Sequence, residues 1–233
     1  MTQITIFNDV EVTLLEVNGS DATIADAARV SLNPEEIDRK KDPGLINTLL
    51  KKKHGSPFEH TYLKFHIKAP IFAFREFHRH RIGWSYNEIS GRYVKLPGEF
   101  YIPAEKRPLI NAGTSMNPRF VEATSQDVRM VERNLRLQYQ AAWNTYEKLI
   151  DKDIANEVAR SVLPVGIMSQ MIASCNVRSL LHFLSLRTDD ELAAYPSKPQ
   201  YEIELVARKM EEYLMVGFPL VYKAFNENGR VAP

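Results

Sequence analysis

Fifteen consecutive residues, Arg79-His80-Arg81-Ile82-Gly83-Trp84-Ser85-Tyr86-Asn87-Glu88-Ile89-Ser90-Gly91-Arg92-Tyr93, carry three arginines, one histidine, two serines, an asparagine and a single glutamate. Arginine keeps its charge and presents a planar fork of donors that matches phosphate or an imide carbonyl. One acid cannot neutralise three guanidinium groups, so the segment calls for an external anion, and a phosphorylated ligand suits its donors. Nucleophilic chemistry has little support elsewhere. Cys175, the only cysteine, lies between Ser174 and Asn176 with Arg178 as its one neighbouring cation, and such a lone thiol reads as a small buried hydrophobe. Ser90 has no histidine base beside it in sequence and reads as a binding residue. His78 and His80, two residues apart on a helix, would point to different faces and could not chelate a metal together.

The order of the charged residues and the Ser85, Asn87, Glu88, Ser90, Gly91, Arg92, Tyr93 tail resemble the signature of the flavin-dependent thymidylate synthases. Further islands in the same order are Ala27-Ala28-Arg29-Val30-Ser31, Ser56-Pro57-Phe58-Glu59-His60 and Asn176-Val177-Arg178-Ser179-Leu180, and the likeness runs to Phe225. The resemblance implies a methyltransferase that converts dUMP to dTMP without a cysteine nucleophile. Methylenetetrahydrofolate would supply the carbon, and FAD reduced by NADPH the hydride. It implies FAD binding by Ser56, Arg79, His80, Arg81, Glu88, Asn176, Val177, Arg178 and His182. For dUMP it implies Glu76, Phe77, His78, Arg79, Glu88, Ile89, Ser90, Gly91, Arg92, Arg160 and Arg187, with Arg92 on the phosphate. Arg187 would be the catalytic residue, a fixed cation against the uracil ring that favours loss of the N3 proton. The family also implies a homotetramer with active sites shared between subunits.

Three departures mark this chain. Eight residues, Ile82 to Ile89, separate Arg81 from Ser90 where the family signature has seven, and the extra one is assigned to Ile82-Gly83-Trp84, with Gly83 absorbing it as a bulge. Glu76 stands where a glutamine is common, and His182 where an asparagine is common. Bland readings remain beside the sharp ones: His80 as a satisfied half-buried histidine, and Arg187 in a salt bridge with Asp189, Asp190 or Glu191.

The elements that would position these residues follow from periodicity. Ile4 to Val17 alternates as one strand ending at Asn18-Gly19, and Ser20 or Asp21 caps a helix through Val30. A helix is expected over 43–53, with Pro43 in its first turn. Thr61 to Lys68 alternates with Leu63, Phe65 and Ile67 on the buried face. A helix from Pro70 to Gly83 would carry Arg79, His80 and Arg81 on a rigid element. The prolines between 97 and 118 indicate a loop opening with a short strand at Phe100-Tyr101-Ile102. One long helix is expected over 121–150, and the remainder reads as helices at 153–163, 176–188, 199–214 and 217–226. The class is α+β, a mixed or antiparallel sheet with a helical C-terminal half, in one domain over 1–233.

Composition sets outer limits. The 233 residues are 44% hydrophobic and 25% charged, with 30 basic against 29 acidic side chains. A net charge of +1 argues against a protein that coats a nucleic-acid backbone. No run approaches the roughly 18 apolar residues of a membrane span, and the amino terminus has no signal-peptide pattern. A reducing, cytoplasmic setting is expected. Two other classes stay open: a nucleotide or RNA binder using Trp84, Tyr86 and Tyr93 as stacking surfaces, and a related flavoprotein lacking methyl transfer.

Overall fold

A computed structural model describes residues 2–33 and 36–233. Eight strands and eight helices follow in chain order: β1 Thr5–Phe7, β2 Glu11–Asn18, α1 Asp21–Ala28, α2 Asp42–Lys51, β3 Tyr62–Pro70, α3 Ile71–Phe77, β4 Trp84–Glu88, β5 Glu99–Tyr101, β6 Ile110–Asn111, β7 Phe120–Val121, α4 Ser125–Ile150, α5 Asn156–Ala159, β8 Met168–Cys175, α6 Val177–Arg187, α7 Tyr201–Gly217 and α8 Pro219–Glu227. The four-stranded sheet has the order β2-β3-β8-β4. β1 and β5 pair in parallel, and β6 and β7 form a small antiparallel ribbon. The α+β class with a helix-rich C-terminal half therefore holds.

Two compact units divide the chain. The first comprises 1–10, 68–76 and 88–171, and the second 11–67, 77–87 and 172–233. In the first unit, Phe100 stacks on Tyr139 at 4.8 Å, and Trp143, Tyr146, Leu96 and Ile167 complete an aromatic core under α4. In the second, Leu63, Phe65 and Ile67 of β3 are fully buried, as their alternation predicts, and α7 packs on β2, α6 and α8. Asp21 in the first turn of α1 accepts from the amides of Leu220 and Val221, closing the N-terminus of α8. No helix among the described residues is long and apolar enough to cross a membrane.

The helix boundaries at α1, α2, α4, α6, α7 and α8 fall near their expected places, but three readings need correction. The strand expected over 4–17 is broken at Asn8-Asp9 into β1 and β2, which join different sheets. The helix expected to run from Pro70 to Gly83 stops at Phe77, and β4 follows it. The hydroxyl of Tyr86 donates to the carbonyls of Phe77 and His80, at 3.2 and 2.9 Å, and ties off the chain there. Gly83 then turns it in the left-handed region at φ +70°. Arg79, His80 and Arg81 thus sit on a pinned turn. Lastly, the last third is not made of helices alone: β8, an inner strand of the main sheet, fills the gap between the helices expected at 153–163 and 176–188.

Candidate active site

Most of the chemistry-bearing residues line one of two cavities, each within a single unit. The first encloses about 370 Å³ and is lined by Arg75, Glu88, Ile89, Ser90, Gly91 and Arg160 over an apolar base of Ile71, Leu96, Ile167 and Met168. Arg75 follows Ile71 by one turn of α3, so both reach the same face. Arg160 begins the short 3-10 turn after α5. Neither guanidinium has an acid partner among the described residues. Glu88, the one acid in the lining, accepts from the Ser169 hydroxyl at 2.6 Å. Ser90 accepts the Arg92 amide on its side-chain oxygen at 3.3 Å, leaving its proton to donate. A side chain on Gly91 would press on Leu96 at 2.9 Å and on the Arg160 stem at 3.3 Å, so glycine keeps the backbone close to the ligand space.

Arg92 is placed differently from the expectation. Its Nε pairs with Glu157 at 3.2 Å with both side chains more than half exposed, its guanidinium lies 5.6 Å from the Tyr93 ring centroid, and it is not among the residues lining the cavity. Glu76 is half-buried outside that lining, and Phe77 is a core residue stacked on Phe183 at 4.7 Å. His78 is exposed and packs edge-on to Tyr86.

The second cavity, about 720 Å³, gathers Arg79, His80, Arg81, Trp84, Asn176, Arg178, His182 and Arg187. Arg79 and Arg81 are exposed and have no acid partner among the described residues. His80 is only 6% exposed, and its Nε2 accepts from Arg187 Nε at 3.0 Å. Burial, followed by the positive charge of Arg187 and the nearness of His182, pushes the His80 pKa down to about 4, so the ring is neutral at pH 7. Arg178 is held by Glu59 at 2.5 Å and by the Pro233 carbonyl at 2.9 Å. Asn176 caps α6 by accepting from the Ser179 amide. Val177 is buried, and its amide donates to Thr61. Ser56 is exposed in the turn 56–59 but does not line the cavity, whereas Glu59 of that turn does.

This second donor set suits an anionic cofactor with a flat ring. Two unpaired guanidinium groups and the N-terminal end of α6 favour negative charge, and Trp84 and Leu186 supply apolar wall. Cys175 is 3% exposed and burial pushes its thiol pKa up, so it carries little thiolate. No group of three or more metal-ligating side chains occurs among the described residues. Of the three aromatics considered as stacking surfaces, Trp84 and Tyr86 stack on each other nearly parallel, with Trp84 9% exposed, and Tyr93 alone is largely exposed. Sequence reasoning missed Arg75 and Ser169. The spacing of Arg75 from Ile71 is a usable signal, whereas Ser169 lies on β8, in the stretch between the expected helices 153–163 and 176–188.

The chain is similar to known proteins over nearly its whole length. The thymidylate synthase complementing protein family matches residues 13–220. A flavin-dependent thymidylate synthase of Streptomyces avermitilis is 50% identical over 232 residues, covering 97% of this chain and 94% of the relative. One from Tropheryma whipplei is 43% identical over 97% of this chain and 96% of its own. Among solved structures, the UMP/dUMP methylase PolB of Streptomyces cacaoi bound with 5-Br UMP superposes with a TM-score of 0.95 at 42% identity, over 100% of both chains. With the match spanning nearly all of its length, this chain belongs to the flavin-dependent thymidylate synthase family.

Proposed function

We propose that the protein methylates dUMP to dTMP, drawing carbon from methylenetetrahydrofolate and reducing equivalents from NADPH through FAD. The observation that carries this reading is the division of the Arg79–Arg92 segment and its partners. Ser90, Gly91 and Arg160 share one donor-rich cavity, and Arg79, His80, Arg81, Asn176, Arg178, His182 and Arg187 share another. The first suits a nucleotide phosphate, and the second the cofactor. FAD, when bound and reduced by NADPH, would supply the hydride. Arg79 and Arg81 offer donors to its phosphates, and Arg178, steadied by Glu59, adds a third cation. Family membership supports the choice of NADPH and a folate as co-substrates.

Arg187 is the catalytic candidate. A fixed guanidinium lowers the free energy of a uracil ring that has lost its N3 proton, and fixation matters because a mobile cation would have to reorganise as charge develops. The neutral His80 ring supplies that fixation. Ser90 donates to the nucleotide, and Glu88, oriented by Ser169, is the acceptor in the same cavity. We propose further that residues 1–233 act as one functional domain, in a cytoplasmic homotetramer whose subunits complete each other's sites.

The test is product analysis. Purified protein with FAD, NADPH, methylenetetrahydrofolate and dUMP should form dTMP, and omission of any one should abolish it. NADPH oxidation without dTMP would leave a flavoprotein lacking methyl transfer. UMP belongs in the same assay, because the Streptomyces cacaoi relative is a UMP/dUMP methylase.

A further inference from the structure

The first cavity holds more positive charge than its expected residues account for. Arg160 and Arg75 both line it, neither is neutralised by an acid among the described residues, and its single carboxylate, Glu88, is hydrogen-bonded to Ser169. Meanwhile Arg92, the arginine that the signature assigns to the phosphate, is paired with Glu157 and lies outside the lining. Arg75 and Arg160 are both exposed at the edge of the cavity, and two guanidinium groups without an acid partner favour a ligand carrying more than one negative charge. A phosphate monoester, with roughly −1.5 to −2 charges near neutral pH, is such a ligand.

We infer that Arg75 is a second phosphate-binding arginine of this cavity, acting with Arg160 on the 5′-phosphate of the nucleotide. This rests on reading the cavity as the nucleotide site. Its position on α3 supports the assignment: Ile71, one turn earlier, belongs to the apolar base of the same cavity and packs against the aromatic core, which sets the rotation of the helix and the direction of Arg75. Helical placement also gives Arg75 less freedom than a loop arginine, so less entropy is lost when it engages the phosphate.

The experiment is calorimetric titration of the FAD-loaded protein with dUMP and, separately, with deoxyuridine, which lacks the phosphate. Arg75→Gln should weaken dUMP binding on the order of tenfold to a hundredfold while leaving the weak deoxyuridine binding unchanged. Arg75→Lys should fall between, because a lysine retains the charge without the fork. Equal losses for both ligands would make Arg75 a structural residue and overturn the inference, as would wild-type affinity for dUMP in Arg75→Gln. If Arg75→Gln fails to fold, Arg75→Lys carries the same comparison: a loss confined to dUMP supports the pair, and no selective loss overturns it. Wild-type protein that binds no dUMP overturns both the pair and the site reading. Phosphate-selective binding without dTMP synthesis overturns the reaction alone.

Discussion

Arg187 Nε donates to His80 Nε2 at 3.0 Å, joining the last residue of α6 to the turn that follows α3. The bond requires a neutral imidazole with its own proton on Nδ1, since a protonated ring has no acceptor. It therefore couples the protonation of His80 to the position of the catalytic candidate.

This coupling has a pH signature. His80 titrates near 4 in the folded chain against an ordinary value of 6.5. Because the folded pKa is depressed, the unfolded state binds more protons between those values, and stability rises with pH across that window. Stability contributed by the neutral ring is fully present above about pH 6.5 and lost as pH falls toward 4. The slope of Tm between pH 4 and 6.5 should flatten in His80→Phe, and an unchanged slope would remove His80 as the group responsible.

Arg187→Ala should keep the cofactor bound and lower kcat by roughly 100- to 1,000-fold, the loss typical of a preorganised charge-stabilising donor. It also removes the second cause of the His80 depression, so the His80 pKa, read by NMR, should move back toward its ordinary value. Undiminished turnover would exclude a catalytic role for Arg187.

Cys175 is buried with its thiol pKa raised. Cys175→Ala should therefore leave kcat within about twofold and cost about 1 kcal/mol of stability from the lost sulfur contacts. Loss of activity with an intact fold would reinstate a thiol mechanism.

Ser169→Ala takes away the donor that Glu88 accepts from. The carboxylate loses the contact that orients it, so KM for dUMP should rise severalfold, and Ser169→Thr should restore it. An unchanged KM would make the Ser169 contact incidental.

Gly83 sits at φ +70°, and a Cβ there would lie 2.1 Å from the Ser179 hydroxyl oxygen, which itself donates to the Ile82 carbonyl. Gly83→Ala should cost about 2 kcal/mol or more in stability. Pairing it with Ser179→Ala removes the steric share, so the double variant should lose less than the sum of the two single ones. Strict additivity would put the whole effect in the backbone conformation.

Local chemistry made much of this protein legible from its residues. The alternation of Leu63, Phe65 and Ile67, the apolar spacing of α4 and the cap of α1 at Ser20 each depend on contacts within a few residues, and such contacts are written in the pattern itself. The arginine-rich segment likewise announced an anion site, because a string of permanent charges with one acid cannot be balanced locally.

Other features depended on partners far along the chain. β8 lies between β3 and β4 in the main sheet, and the mixed run Met168–Cys175 shows its strand character only against those neighbours. The turn bearing Arg79, His80 and Arg81 is pinned by the Tyr86 hydroxyl, which no helical periodicity could reveal. Residue types at close spacing pointed to an anion site. Only the tertiary structure decided which arginines share a cavity, because packing sets the direction of each side chain: Arg75 beside Arg160, Arg187 against His80, and Arg92 turned away to Glu157.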